Sequence, residues 1–203
     1  MRAVGFKEFG DPEVLEVMDI PEVFAGPGEI RIRNYASAVN PTDIVSRSGL
    51  ISQFRKDFPL PSVPGMDISG IVDQVGEGVE TGINIGDKVM GMVIPNELHG
   101  AYREQIILNQ FAVVKNPEGY SFVESSTLPM NGLTARLSLD LLNLNKEQVL
   151  AVTGGPGAYG GYVIQLAKAD GLTVIADANE NDIELLNELG VDHIIPRGKN
   201  FVE

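Results

Sequence analysis

The stretch that decides the fold is "TGGPGAYGGYVIQLAKADGLTVIADA", which runs from Thr153 to Ala178. It contains the spacing G-x-G-x-x-G at Gly155–Gly160, between the apolar run "QVLAVT" (148–153) and the helical pattern "GYVIQLAKAD" (161–170). In that context glycines let a tight turn approach a pyrophosphate, and the helix N-terminus offers N–H groups and partial positive charge. The stretch therefore predicts a dinucleotide-binding βαβ unit. The alternative is a glycine-rich turn that serves packing only.

A ribose-binding acid is expected about 20 residues after such a turn. Asp177 lies 17 residues after Gly160, at the end of the apolar run "LTVIADA". It would favour NAD and repel the extra phosphate of NADP. No Lys or Arg follows in "DANENDIELL", and Arg197 is the nearest basic candidate. The alternative interpretation of Asp177 is a strand-end carboxylate that caps the next helix.

The rest of the C-terminal part continues the alternation of strand and helix. After "LTVIADA", the segment "NDIELLNELG" has a helical pattern, and "VDHIIP" is a third strand. This order is typical of a parallel sheet. Three strands make only the first half of a doubly wound Rossmann sheet, and the chain stops seven residues after Pro196. We expect either that the other half is absent from this chain or that a partner covers the open edge.

Up to about residue 120 the pattern is all-β, with short alternating or apolar runs separated by Gly and Asp. Such runs predict a small barrel or sandwich. A short helix is expected at "PTDIVSRSG" (41–49). The segment "SSTLPMNGLTARLSLDLLN" (125–143) reads as one amphipathic helix, since three leucines recur at helical spacing: Leu133, Leu137 and Leu141. We place the boundary near residue 123, which gives domains 1–123 and 124–203.

Composition excludes several classes of protein. The 203 residues carry a net charge of −13 and no basic cluster, which argues against nucleic acid or an anionic membrane as partners. The absence of cysteine removes disulfides, thiolate catalysis and cysteine-ligated zinc. The only histidines, His99 and His193, are far apart in sequence. The N-terminus lacks a signal-peptide core, and no stretch reaches transmembrane length, so we expect a soluble, cytoplasmic protein.

An ordered series of motifs resembles the zinc-free quinone oxidoreductase branch of the medium-chain dehydrogenase/reductase superfamily. Along the chain, "SAVNPTDIVSRSG" resembles A-x-x-x-N-P-x-D-x-x-x-R-x-G, and "VPGMDISGIVDQVGEGV" resembles P-G-x-D-x-x-G-x-V-x-x-V-G. "IGDKVMGM", "HGAYREQ" and "LPMNGLTAR" resemble G-D-x-V-x-G, G-x-Y-A-E and the L-T-A helix. The glycine stretch resembles the family's nucleotide loop. This likeness covers essentially the whole chain, and it implies a GroES-like β domain followed by a Rossmann domain.

The resemblance also implies chemistry without zinc. Zinc-dependent relatives place Cys where Asn40 stands and His-Glu where Met66-Asp67 stand. The implied reaction is hydride transfer from a reduced nicotinamide, NADP(H) or NAD(H), to a small-molecule quinone or enone. The family leans to NADPH, whereas the acidic segment around Asp177 leans to NADH. The resemblance further implies a homodimer.

Carried over position by position, the resemblance assigns Asn40 to the cleft, as the catalytic candidate. Thr134 matches a threonine that approaches the nicotinamide. The remaining cofactor-binding candidates are the loop and strand-end residues, namely Gly155, Pro156, Gly157, Ala158, Tyr159, Gly160, Asp177, Asn179 and Arg197. The loop departs from the family where Ala158 replaces a glycine and Tyr159 replaces a valine.

Two other functions stay open. An enoyl-thioester-type reductase would be favoured by a tyrosine near the nicotinamide, but Val45 and Ile51 stand where some relatives carry one. A redox-silent binding or structural protein could retain the same fold with an altered loop. Loss of nicotinamide binding would distinguish that case.

Overall fold

The computed structural model describes residues 1–198. Contacts between Cα atoms divide the chain into two compact units, Met1–Met130 and the chain from Asn131 onward. The division falls inside a helix, whereas the boundary predicted near residue 123 lies in the short helix before it. That predicted domain boundary stays a prediction. Each unit is described separately below.

The first unit is built on antiparallel sheets, which confirms the expected all-β pattern. Its strands are β1 (Arg2–Gly5), β2 (Glu16–Asp19), β3 (Glu29–Ala36), β4 (Asp67–Val75), β5 (Lys88–Met92), β6 (Gln105–Asn109) and β7 (Val113–Lys115). Five of them form a sheet in the order β6-β3-β4-β5-β7, and β1 and β2 pair as a separate hairpin.

Alternation along β3 explains where the core of this unit lies. Ile30 and Ile32 are fully buried, while Arg33, the next residue along the strand, is exposed. Successive side chains of a strand point to opposite faces, so the isoleucines of β3 meet Ile68 and Val72 of β4 on one face. Burial of these aliphatic side chains is the main stabilising term of the sheet.

The helix expected after β3 is present as α1 (Pro41–Arg47). Pro41 occupies the first helical turn, where its missing N–H is tolerated, and Asn40 is the N-cap. Gly49 follows with φ +85°, a conformation that glycine adopts without strain.

The helix expected over 125–143 is present as α3 (Pro129–Leu142), which begins four residues later than expected. A separate short helix, α2 (Phe122–Ser125), precedes it. Proline lacks an N–H and its ring clashes with a preceding helical turn, so a helix begins at Pro129 and does not run through it.

The leucines that suggested an amphipathic α3 are exposed in the described residues. Leu133, Leu137 and Leu141 are 55%, 59% and 77% exposed, while Ala135 and Leu139 join the core of the second unit. The leucine spacing thus predicts a real helix. The face that carries Leu133, Leu137 and Leu141, however, is not the face that packs in the core.

The second unit contains the predicted parallel sheet. Its elements are β8 (Val149–Val152), α4 (Ala158–Ala169), β9 (Thr173–Ala178), α5 (Ile183–Glu188) and β10 (His193–Pro196). The strands are parallel and lie in the order β10-β9-β8. Among the described residues β8 pairs only with β9, so it is an edge strand, as expected for the first half of a doubly wound sheet. Helix α4 starts at Ala158, earlier than the predicted 161, because the last loop residues already form its first turn.

Candidate functional site

The glycine stretch forms a tight turn between β8 and α4. Gly154 has φ +71°, and its carbonyl accepts a hydrogen bond from the N–H of Gly157 at 2.9 Å. Gly157 is the N-cap of α4, and its own carbonyl accepts from Gly161 at 2.8 Å. The turn and the first helical turn are therefore joined by consecutive backbone hydrogen bonds.

The three glycines of the G-x-G-x-x-G spacing lack a side chain for two different physical reasons. A Cβ on Gly155 would lie 3.1 Å from both Ala176 and Leu186, and one on Gly160 would lie 2.4 Å from the Gly154 carbonyl oxygen. A Cβ on Gly157 would meet only that same oxygen, at 3.2 Å. Gly155 and Gly160 thus permit close packing, whereas Gly157 leaves its outer side open.

The open side coincides with the N-terminus of α4. Gly157, Ala158 and Tyr159 are exposed, and the first N–H groups of a helix have no intrahelical acceptor. In a helix of 12 residues these N–H groups and the helix dipole favour an anion. The bare Gly157 and the exposed helix start fit a pyrophosphate.

Tyr159 connects this turn to α3. Its hydroxyl donates to Ser138 Oγ at 2.7 Å, and Ser138 Oγ donates to the carbonyl oxygen of Thr134 at 2.8 Å. Ser138 thus links Tyr159 to Thr134, a predicted cofactor contact that lies one helical turn before Ser138 in α3. No sequence motif indicated Ser138 as part of this site.

The predicted strand-end residues lie together at the carboxyl edge of the parallel sheet. Asp177 is near the end of β9, Asn179 follows that strand, and Arg197 directly follows β10. The Arg197 Nε donates to Asp177 Oδ2 at 2.9 Å, and Asn179 is exposed. The carboxyl edge is where ligands bind in open α/β sheets.

The first unit holds a separate buried polar cluster around Asn40. Asn40 and Asp43 form a capping box at the start of α1, with Asp43 Oδ2 accepting from the Asn40 N–H at 2.8 Å. The other oxygen, Asp43 Oδ1, accepts from the Gly65 N–H at 2.9 Å, and the Tyr102 hydroxyl donates to Oδ2 at 3.1 Å.

Asp67 fixes the side chain of Asn40. Asn40 Nδ2 donates to Asp67 Oδ2 at 2.6 Å, and the Met130 N–H donates to Asp67 Oδ1 at 2.6 Å. Asp67 is fully buried, and burial raises the pKa of its carboxyl despite these hydrogen bonds. In the sequence Asp67 is recognisable only as the counterpart of a metal ligand, so its contact with Asn40 was not predicted.

No group of three or more His, Asp or Glu side chains within residues 1–198 is arranged to hold a metal ion. At the positions where the zinc-dependent pattern has ligands, Asn40 contacts Asp67, and Met66 Sδ accepts from the Thr42 hydroxyl. Over the same residues, none of the helices has the length and apolar character needed to cross a membrane.

Comparison with known proteins agrees with both units. Residues 26–118 match the alcohol dehydrogenase GroES-like domain family. The chain is 32% identical to the 2-methylene-furan-3-one reductase of Solanum lycopersicum, over 100% of this chain and 54% of the relative. It is 30% identical to the NADPH-dependent alkenal/one oxidoreductase, chloroplastic, of Arabidopsis thaliana, over 100% of this chain and 54% of the relative.

A solved structure shows the same arrangement of elements. The quinone oxidoreductase from Coxiella burnetii matches with a TM-score of 0.83 and 34% identity, over 96% of this chain and 62% of that structure. The chain thus spans just over half the length of the two curated relatives named above. Its GroES-like β domain, its partial Rossmann sheet and these relatives together place it in the quinone oxidoreductase branch of the medium-chain dehydrogenase/reductase superfamily.

Proposed function

We propose that this chain belongs to an NAD(P)H-dependent oxidoreductase that transfers hydride to a quinone or an activated enone. The observation that carries the proposal is the glycine turn at the carboxyl edge of the parallel sheet, with an open Gly157 and the exposed N-terminus of α4. The names of relatives that reduce quinones, alkenals and enones support the substrate class.

The residues that would hold the dinucleotide are those of the turn and the strand ends. The N–H groups of Ala158 and Tyr159 would bind the pyrophosphate, and Asn179 and Arg197 would lie toward the adenosine ribose. When bound, the nicotinamide would supply a hydride. A quinone that takes this hydride and one proton from solvent leaves as a hydroquinone, so the reaction requires no protein acid.

In the first unit, Asn40 is the proposed substrate-facing side chain. Its orientation is set by Asp67 at 2.6 Å and by its place as N-cap of α1. A polar side chain whose orientation is fixed in advance needs no reorganisation to assist a reaction. The proposal includes no resident metal.

The cofactor preference is proposed as NADPH. The NADPH-dependent relative supports it, and Arg197 is a cation at the strand-end edge. Against it stands the acidic segment that follows Asp177. The cytoplasm is the proposed compartment, although one relative is chloroplastic by name. A homodimer is the proposed assembly, and it rests on the family resemblance alone.

The test is a fluorescence titration of the protein with NADPH, and with NADH in parallel. Two variants share size and shape: Gly157→Asp and Gly157→Asn. Both residues are favourable N-caps, so α4 should remain folded in each. We expect the carboxylate variant to bind at least about 100-fold more weakly than the amide variant, because like charges would meet at the pyrophosphate position.

Equal affinities of the Asp and Asn variants would contradict the phosphate-loop assignment. No saturable binding of either nucleotide to the wild-type protein would favour the redox-silent alternative. Thermal unfolding of each variant without nucleotide verifies that a loss of binding is not a loss of fold.

A further inference from the structure

The carboxylate of Asp177 is already occupied within the protein. The residue is only 7% exposed, which is unusual for an aspartate. Its Oδ1 accepts from the Gly154 N–H at 2.7 Å, and its Oδ2 accepts from Arg197 Nε at 2.9 Å. A buried carboxylate is tolerated only when it is paired in this way.

The hydrogen bond between Asp177 and Gly154 is connected to the start of α4 through the backbone of the glycine turn. Gly154 follows β8, and its N–H is fixed by Asp177 while its carbonyl oxygen accepts from Gly157. Gly157 then caps α4. Displacing Asp177 would therefore release the first of the consecutive hydrogen bonds that shape the turn.

The same carboxylate joins the ends of three parallel strands. Gly154 lies after β8, Asp177 lies in β9, and Arg197 lies after β10. The Arg197 N–H also donates to the carbonyl oxygen of Ala178 at 2.9 Å, which fixes the origin of the side chain that pairs with Asp177. Hydrogen bonds between charged groups are roughly twice as strong as neutral ones.

The surroundings of Asp177 stabilise its ionised form. Burial by itself raises the pKa of Asp177, but the guanidinium of Arg197 and the backbone N–H groups of Gly154 and Gly155 outweigh it. The pKa of this carboxyl is therefore below its ordinary value. Asp177 stays charged at neutral pH, with its charge directed into the protein.

We propose that Asp177 is a positioning residue that holds the glycine turn in its nucleotide-binding shape and acts equally on NADH and NADPH. It does not select between them as a ribose-hydroxyl acceptor. The inference deepens the proposed function and rests on it, because the turn is taken to bind a dinucleotide.

The first test measures dissociation constants of Asp177→Asn for NADPH and NADH. Loss of a charge-assisted hydrogen bond should weaken both by the same factor, about 10-fold or more, with the ratio of the two constants unchanged. A ribose-hydroxyl acceptor behaves otherwise: its loss weakens NADH and strengthens NADPH. A changed ratio would overturn the inference.

The second test is a double-mutant cycle with Arg197→Gln. In Asp177→Asn the new amide can still accept from Gly154, but its NH₂ group then faces the guanidinium of Arg197. The loss of nucleotide affinity caused by Arg197→Gln should therefore be at least about 3-fold smaller in Asp177→Asn than in the wild-type protein. Purely additive losses would mean that the pair does not act as a unit on the turn.

The third test needs no nucleotide and separates the two proposals. Hydrogen exchange of the peptide over residues 153–161 should be at least about 10-fold faster in Asp177→Asn. The control Glu184→Gln, an exposed carboxyl on α5, should leave it unchanged. Wild-type exchange rates in Asp177→Asn would overturn the positioning role. Failure of the wild type to bind nucleotide would overturn the proposed function instead.

Discussion

Gly160 lies in the first turn of α4, where the helix passes closest to the glycine turn. Replacing it with alanine places a Cβ 2.4 Å from the Gly154 carbonyl oxygen and 2.9 Å from the Gly155 Cα, and neither backbone atom can give way easily. We expect Gly160→Ala to lower the free energy of unfolding by about 1–3 kcal/mol. Chemical denaturation followed by circular dichroism measures the change.

Gly132 offers the matched control, because it is also a helical glycine in the second unit. A Cβ there meets nothing within 4 Å. Gly132→Ala should therefore raise the free energy of unfolding by up to about 1 kcal/mol through helix propensity. Equal losses in both variants would show that close packing at Gly160 is not what requires a glycine.

Asp177 also predicts a pH dependence of stability at the scale of one residue. Its pKa in the folded protein is below the ordinary value of 3.8, so its stabilising contribution is fully present above that value. The contribution is lost as the pH falls through the lower, folded pKa. Wild-type protein should thus be more stable than Asp177→Asn near neutral pH, and this advantage should shrink below about pH 4.

Urea unfolding of both proteins at a series of pH values measures that advantage. An advantage that stays constant down to about pH 3 would mean that the Asp177 carboxylate is not held by Arg197 and Gly154 in solution.

At the scale of one element, α3 separates a buried from an exposed leucine two residues apart. Leu139 is 4% exposed and packs in the core of the second unit, whereas Leu137 is 59% exposed. Leu139→Ala should lower the free energy of unfolding by about 2–5 kcal/mol, since it leaves a cavity. Leu137→Ala should change it by no more than about 0.5 kcal/mol.

Thermal and chemical unfolding of the two variants provide the comparison. A large loss in Leu137→Ala would indicate that the exposed leucines of α3 are covered in solution, for example by a second copy of the chain.

At the scale of the whole molecule, the sequence predicts activity that does not depend on zinc. There is no cysteine, and Asn40, Met66 and Asp67 occupy the positions of the ligands in the zinc-dependent pattern. We expect dialysis against a chelator to leave the rate of NADPH oxidation by a quinone unchanged. The rate is measured from the absorbance of NADPH, with a protein that carries the proposed activity. Activity that is lost on chelation and returns with added zinc would contradict this prediction.

Periodicity and turn chemistry were sufficient to predict much of the fold. Alternation in β3, the β8–α4–β9 unit and the helix after Pro41 were all confirmed, because these signals act over a few neighbouring residues. The first hairpin, β1 and β2, was not predicted individually. The break before Pro129 was missed although proline signals it, since the leucine spacing dominated the interpretation.

The candidate site could be predicted only where the spacing of neighbouring residues defines the local backbone shape. The glycines required by close packing were found from their spacing, and their order along the chain is enough to define the turn. The partner of Asn40 was not, because Asp67 is far from it in sequence and meets it only in the folded protein. The same holds for Tyr102, which contacts the neighbouring Asp43.

The sequence by itself determined the tight glycine turn between β8 and α4, the parallel βαβ unit, the antiparallel first unit and the lack of thiol chemistry, since each depends on local spacing or on composition. Tertiary structure alone decided which oxygen of Asp177 meets Gly154 and which meets Arg197, and which face of α3 is buried. The contacts of Asp177 depend on the three strand ends meeting at one edge, and the buried face of α3 depends on the core against which Ala135 and Leu139 pack. No local pattern encodes the direction in which a side chain then points.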